Sequence, residues 1–116
     1  MKRILAALSM CAMATTLQAS APVVAQDGIA SFYKSGRLTA NGEKFNPNGF
    51  TAAHRSLKFG TLVRVTNLKT GRSIVVRIND RGPYINGRMI DLAYGAAKAV
   101  GLHDSGIAKV SMAVLN

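Results

Sequence analysis

The chain has 116 residues, of which 15 are Lys or Arg and 5 are Asp or Glu, giving a formal net charge of +10. This length supports one small domain with a modest core, and a single cysteine excludes an internal disulfide. The basic excess favours an anionic partner, either nucleic acid or an acidic matrix.

The first 25 residues have the pattern of a secretory signal peptide. Lys2 and Arg3 form a positive n-region, and the apolar stretch over 4–13 is too short to span a bilayer. Small residues then lead to Ala25, after which we predict cleavage. A second small-residue position, Ala21, is disfavoured as a cleavage site because proline follows it.

Export would leave residues 26–116 as the folded domain, with 13 basic and 5 acidic side chains and a net charge of +8. Cys11 would be removed with the signal, and Met10 before it makes a poor lipoprotein box, so we expect no lipid anchor. An export signal argues against a nucleic-acid partner and points to an anionic polymer of the cell envelope. We expect a periplasmic monomer with no stable membrane insertion.

Short strands and turns account for most of this domain. The predicted elements, in chain order, are a strand over Gly28–Tyr33, a loop rich in Asn, Gly and Pro over 34–49, a short extended piece over Phe50–His54, and a strand over Thr61–Leu68. A turn over 69–72 leads into the next strand, which gives a hairpin.

The stretch that follows this turn is the most informative in the chain. Ile74, Val76 and Ile78 alternate on one face of a strand, and Asp80 continues that face. The strand ends directly afterwards at Gly82-Pro83, because proline cannot donate to a ladder. A carboxyl group that continues a buried face is partly removed from water, which suits acid–base chemistry.

The last part of the chain predicts a helix and a final strand. Asp91 is a suitable N-cap for a helix whose apolar face lies within 92–100, and Gly101 stands where a C-cap glycine belongs. Ala108–Leu115 then reads as the last strand. Several short strands with one short helix indicate a small closed β-barrel.

Few residues are available for chemistry. Once capping explains Asp91, the carboxylates that remain as candidates are Glu43, in the polar loop, and Asp80. His54 is the candidate histidine, since His103 lies in a polar turn near the helix end. A zinc site needs about three protein ligands, and no phosphate-binding glycine motif is present, so we expect no metal or cofactor.

Five ordered segments resemble one family, rare lipoprotein A (RlpA). They are Thr39-Ala-Asn-Gly-Glu43, Thr51-Ala-Ala-His54, Phe59-Gly-Thr-Leu-Val-Arg-Val-Thr-Asn67, Val76-Arg-Ile-Asn-Asp-Arg-Gly-Pro83 and Gly87-Arg-Met-Ile-Asp-Leu92. The resemblance implies a mostly β fold, a six-stranded double-psi β-barrel with one short α-helix that is related to expansins. It also implies septal peptidoglycan lytic transglycosylase activity.

The resemblance also implies site residues. Those expected to be catalytic are Asp80, His54 and Glu43, and those expected to bind the glycan are Asn46, Asn79, Arg81 and Tyr84. Asn46 stands where the family pattern has an aspartate, so this chain has one carboxylate fewer in that motif.

Two functions from different classes follow. The first is an endolytic lytic transglycosylase that cleaves MurNAc–GlcNAc bonds of peptidoglycan to 1,6-anhydro products, with Asp80 as acid and then base and with His54 and Glu43 orienting the sugar or supporting charge. The alternative is a non-catalytic, expansin-like peptidoglycan-binding module, which Asn46 favours. A hydrolase that uses water would instead leave reducing ends.

Overall fold

The computed structural model describes residues 25–116, so residues 1–24 of the predicted signal peptide, including Cys11, lie outside the described residues, and Ala25 is the first residue of β1. The elements are β1 (Ala25–Tyr33), β2 (Thr51–Ala53), β3 (Leu62–Asn67), β4 (Ser73–Asp80), β5 (Arg88–Ala93), α1 (Tyr94–Ala99) and β6 (Ile107–Val114). Within 25–116 no helix has both the length and the apolar character needed to cross a membrane.

The six strands form a closed barrel in the order β1-β5-β2-β4-β3-β6. β1 runs parallel to β5 and β2 runs parallel to β4, while the other neighbours are antiparallel. Parallel neighbours need crossover connections, so each pair joins strands that are distant in sequence. The predicted fold class, a six-stranded double-psi β-barrel with one short helix, is confirmed.

The barrel interior is filled by the alternating apolar residues of each strand. Val76 and Ile78 of β4 are fully buried, as are Val63 and Val65 of β3, and Val110 of β6 has no exposed surface either. The period-two prediction for these strands is therefore confirmed. Each fully buried aliphatic side chain of this kind contributes about 1.5–3 kcal/mol, so the core depends on many small contributions.

The prediction that a helix begins at Asp91 is wrong. Asp91 lies inside β5, and the helix starts three residues later with Ala93 as its N-cap and no side-chain cap. β5 is flanked by β1 and β2, and it buries Ile90 and Leu92 completely. A buried strand that runs directly into a short helix has no clean alternation, which is why its residues also fit a helical face.

The end of the helix agrees with the sequence. Gly101 has φ +75°, its N–H donates to Lys98 O, and Leu102 N–H donates to Ala97 O. This is the Schellman arrangement, in which a left-handed residue, favoured as glycine, ends the helix.

Candidate functional site

One row of residues crosses four neighbouring strands at the candidate site. Asp80 at the end of β4 pairs with Ala53 of β2, Ala53 pairs with Asp91 of β5, and Asp91 pairs with Ser31 of β1. Because neighbouring strands lie about 4.8 Å apart, the backbones of Asp80 and Asp91 are two strand spacings apart. The parallel pairings therefore bring two carboxylates, 11 positions apart in the chain, into one region of the surface.

The Asp80 carboxylate is held through both of its oxygens. Oδ1 accepts from the backbone N–H groups of Ala40 and Arg81, each at 2.9 Å, and Oδ2 accepts from the Tyr33 hydroxyl at 3.2 Å. An ionised carboxylate has about four acceptor sites, so roughly one remains for a ligand. Within 25–116 no arginine forms an ion pair with this group.

Tyr33 is a site residue that the sequence analysis did not identify. Its ring stacks on Phe45, with centroids 4.6 Å apart and an interplanar angle of 16°. Burial, followed by the charge of Asp80 and its hydrogen bond, raises the pKa of Tyr33 well above its ordinary value. The phenol therefore stays neutral and acts as a hydrogen-bond donor. Its only signal in the sequence is a polar aromatic residue at a strand end.

Glu43 is held by a dense set of donors. Arg77 binds it in a bidentate pair at 2.6 and 2.9 Å, and Asn79 and Asn41 each donate a side-chain N–H at 3.0 Å. These hydrogen bonds, with Arg77 contributing most, lower the pKa of Glu43 to about 2. Glu43 therefore remains a carboxylate at neutral pH and has no proton to donate.

The effect of these contacts is to fix the loop that carries Ala40. Asn41 N–H donates to the Asn79 carbonyl at 3.2 Å, and Asn41 Oδ1 accepts from the Thr39 hydroxyl. Since Ala40 lies between these anchored residues, the Glu43 cluster positions the N–H group that contacts Asp80. The geometry favours a positioning role for Glu43.

Acid titration tests this role. Because the pKa of Glu43 is lowered in the folded protein, its stabilisation is complete above an unfolded-state pKa of about 4.3 and is lost as the pH falls towards about 2. We expect wild-type melting temperatures to fall more steeply over this interval than those of Glu43→Gln. Other carboxylates titrate in both proteins, so the difference between the two curves isolates Glu43. Parallel curves would contradict the positioning role of Glu43.

His54 directly follows β2. Its backbone N–H donates to the Asp80 carbonyl at 3.2 Å, and its Nδ1 accepts from the backbone N–H groups of Ser56 and Leu57, both at 3.1 Å. Burial, aided by the charges of Arg55 and Arg81, lowers the pKa of His54. The imidazole is therefore neutral and carries its proton on Nε2, which makes it a hydrogen-bond donor.

The four predicted glycan-binding residues differ in their surroundings. Asn79 is only 2% exposed and donates to Glu43, while its Oδ1 is buried without a partner. Arg81 donates to the carbonyls of His54 and Leu57, and its guanidinium lies 3.9 Å from the Phe59 ring centroid. Tyr84, in contrast, lies in the segment that follows Asp80 and is 75% exposed.

Asn46 lies in a turn that contacts the helix. Its Oδ1 accepts from Asn48 N–H, and Gly95 of α1 donates its N–H to the Pro47 carbonyl at 2.7 Å. A Cβ at Gly95 would lie 2.6 Å from the Asn48 carbonyl oxygen, so only glycine allows this approach. Among the described contacts none joins Asn46 to Asp80 or Glu43.

Comparison with known proteins identifies the family. A sequence model described as lytic transglycolase matches residues 25–112. The chain belongs to this family. This confirms the resemblance that the five sequence segments carry.

The relatives in the lytic transglycolase family are longer than this chain. The probable endolytic peptidoglycan transglycosylase RlpA of Synechocystis sp. is 59% identical over 91 residues, which cover 76% of this chain and 28% of the relative. The protein of the same name from Treponema pallidum is 45% identical over 114 residues, covering 96% and 36% respectively. The chain thus spans about a third of the length of these relatives.

Solved structures show that the lytic transglycolase barrel is shared more widely. Streptomyces papain inhibitor has a TM-score of 0.68 at 19% identity, covering 84% of this chain and 100% of the inhibitor. A mutant of Clavibacter michiganensis expansin in complex with cellohexaose has a TM-score of 0.65 at 20% identity, covering 80% and 51%. At such identities the likeness establishes the fold alone.

Asp91 has contacts in the lytic transglycolase site region that capping would not give it. Its Oδ1 accepts from the Ser31 hydroxyl and lies 3.4 Å from Arg88 Nη2, and Arg88 also donates to Ser31. The side chain is 18% exposed, and its negative charge is among the causes that raise the pKa of Tyr33. Asp91 therefore links β5 to β1, two strands away from Asp80 in the same row of residues.

We expect Asp91→Asn to lower the free energy of unfolding by about 1–2 kcal/mol, between the values for exposed and buried ion pairs. Arg88 would lose its carboxylate partner while remaining partly buried. Thermal melts should show a decrease of about 4–16 °C, at roughly 4–8 °C per kcal/mol for a domain of this size. Asp104→Asn, which removes an exposed carboxylate 3.3 Å from His103, is the matched control. Equal shifts in both variants would contradict the assignment.

Proposed function

We propose that this chain is a lytic transglycosylase acting on the glycan strands of peptidoglycan. The observation that carries the proposal is the position of Asp80, a carboxyl group anchored at both oxygens at the end of a barrel strand. Family membership and the names of the relatives from Synechocystis sp. and Treponema pallidum support the same activity. The reaction is endolytic cleavage of the MurNAc–GlcNAc bond to a 1,6-anhydro product.

In the proposed reaction Asp80 acts first as acid and then as base. Its proton goes to the glycosidic oxygen as the bond from that oxygen to C1 of MurNAc breaks, leaving an oxocarbenium-like centre. The 6-hydroxyl of the same sugar then bonds to C1 and returns its proton to Asp80, so no water is consumed. A glycan covering the carboxyl group would exclude water from this step, which favours attack by the 6-hydroxyl over hydrolysis.

The remaining site residues support this step. Glu43 fixes the Ala40 loop, and Asn79 acts through Glu43 because it is buried. The neutral His54 offers Nε2–H to a sugar oxygen. Arg81 holds the loop over 54–57 against the end of β4.

Glycan contacts are proposed for the exposed residues Tyr84 and Asn46. Tyr84 presents an aromatic ring beside the turn that follows Asp80, and Asn46 presents an amide on the neighbouring loop. Tyr33 completes the proposed set as the donor to Asp80.

The location follows from the proposed substrate. Peptidoglycan lies outside the cytoplasm, and we propose that residues 1–25 export the domain 26–116 to the periplasm, where it acts as a monomer without a lipid anchor. The excess of 13 basic over 5 acidic side chains in this region suits an anionic wall polymer.

A second candidate function is a non-catalytic wall-binding module. It is favoured by Asn46, which removes a carboxylate from the loop, and by the cellohexaose bound to an expansin of the same fold. Such a module would bind sacculi in a salt-dependent way without changing them.

Product analysis separates the candidates. Purified protein is incubated with sacculi, and the released fragments are analysed by mass spectrometry beside an active transglycosylase as positive control. We expect 1,6-anhydro-muropeptides. Reducing-end fragments would establish a hydrolase instead, and sacculus binding without release would establish the module.

A further inference from the structure

A second concave surface lies at the opposite end of β4 from Asp80. A pocket of about 520 Å³ is lined by the β3–β4 turn and by the segment that follows the helix, with Asn67, Lys69, Arg72, Asp104, Ile107 and Lys109 among its walls. Arg72 directly precedes β4, whose eight residues span roughly 23 Å at about 3.3 Å per residue. The pocket is therefore separate from the candidate catalytic site around Asp80.

The pocket concentrates positive charge. Lys69, Arg72 and Lys109 line it, and within residues 25–116 none of the three forms an ion pair. The one acidic lining residue, Asp104, lies 3.3 Å from His103 Nε2. Three cations with no carboxylate partner around one concavity favour an anionic ligand.

Hydrogen bonds to buried groups fix the backbone that carries these three cations. Asn67, which is 2% exposed, donates through Nδ2 to the Val100 carbonyl and accepts through Oδ1 from Lys69 N–H. The Thr70 hydroxyl donates to the same carbonyl, and Leu68 N–H donates to the Lys109 carbonyl. The cationic side chains therefore project from a preformed frame, which reduces the ordering cost of binding.

The pocket also has an apolar part. Ile107, which is 53% exposed, and Ala108 line the pocket together with the cations. A ligand that combines carboxylates with small apolar groups suits this lining. An acidic peptide containing alanine has this chemistry, whereas a bare glycan does not.

We propose that this pocket is a second binding site, which takes the acidic stem peptide of peptidoglycan. The proposal rests on the proposed function, since it assumes that the wall polymer is the substrate. A stem peptide held here would belong to a strand other than the one being cleaved, or to a distant part of the same strand. The pocket would thus keep the domain bound to the wall while Asp80 cleaves the glycan.

The test measures binding without any glycosidic bond. The probe is a synthetic stem tripeptide, alanyl-γ-glutamyl-diaminopimelate, titrated by NMR into the wild-type protein and into the double variant Lys69→Gln/Lys109→Gln. The control variant, Lys58→Gln/Arg64→Gln, removes two exposed cations elsewhere. We expect shifts at 67–72 and 101–109 and a three- to tenfold weaker affinity in the pocket variant only, on the order of 1 kcal/mol in total for two exposed charges.

Several outcomes would overturn this proposal. An equal loss of tripeptide affinity in both variants would mean that the peptide is attracted by diffuse positive charge. NMR shifts confined to the residues around Asp80 would place the peptide there instead. Binding of anionic phospholipid vesicles with no binding of the tripeptide would assign the pocket to a membrane surface. Because the tripeptide contains no sugar, failure of the transglycosylase proposal would appear separately, as sacculi that yield no anhydro products.

Discussion

Asp80→Asn is expected to abolish the release of anhydro-muropeptides while leaving the barrel folded. The amide keeps the size of the side chain but cannot donate and recover a proton. Positioned acid–base groups contribute about 10²–10⁴-fold to rates, so the residual rate should be reduced by at least about 10²-fold. Both the rate on sacculi and the melting temperature are measured.

The matched control for this variant is Asp27→Asn, which changes an exposed carboxylate on β1 and removes no hydrogen bond to Asp80. It should retain full activity. If Asp80→Asn kept more than about a tenth of the wild-type rate with a normal melting temperature, Asp80 would not be the acid. Asp91, in the same row of strands, would then be the next carboxylate to test.

Tyr33→Phe is expected to reduce activity about tenfold or more, since hydrogen bonds to charged groups contribute about 1.5–3 kcal/mol. The substitution keeps the ring that stacks on Phe45 and removes only the hydroxyl that donates to Asp80. The hydroxyl stabilises the carboxylate that forms as Asp80 gives up its proton, so its loss should lower kcat and leave KM unchanged.

The melting temperature separates this role from a structural one. A tyrosine that only supported the fold would lower the melting temperature together with the rate, whereas loss of the donor alone should lower kcat at a normal melting temperature. Tyr94→Phe is the control, because Tyr94 also packs against an aromatic ring, Phe32, but has no contact with Asp80 among the described residues. A wild-type kcat in Tyr33→Phe would remove Tyr33 from the site.

Short sequence patterns correctly predicted the alternating strands and the end of the helix. The alternation over 74–78 gave β4 with Asp80 at its end, and Gly101 marked the helix end because its conformation favours glycine. β5 was assigned wrongly, since its residues are buried against two neighbouring strands and do not alternate. Its partners, β1 and β2, precede it by dozens of residues, and no local signal reports such pairing.

The site shows the same division. Asp80 was selected as a carboxylate at a strand end, Glu43 as a carboxylate in a polar loop and His54 as the candidate histidine, and the structure brings their segments together. The bidentate pair between Glu43 and Arg77 spans 34 positions and the contact between Tyr33 and Asp80 spans 47. Both contacts depend on the closed barrel, so the positioning role of Glu43 and the presence of Tyr33 could not be derived from spacing.

Closure by β6 has a consequence for how the chain reaches this state. β6 pairs with β1 on one side and with β3 on the other, so until it docks both strands present unpaired edges. Open edges recruit other strands, and pairings between distant segments form slowly. The barrel can therefore close only when β6 is available, and a chain truncated before Ile107 should aggregate instead of forming a smaller barrel.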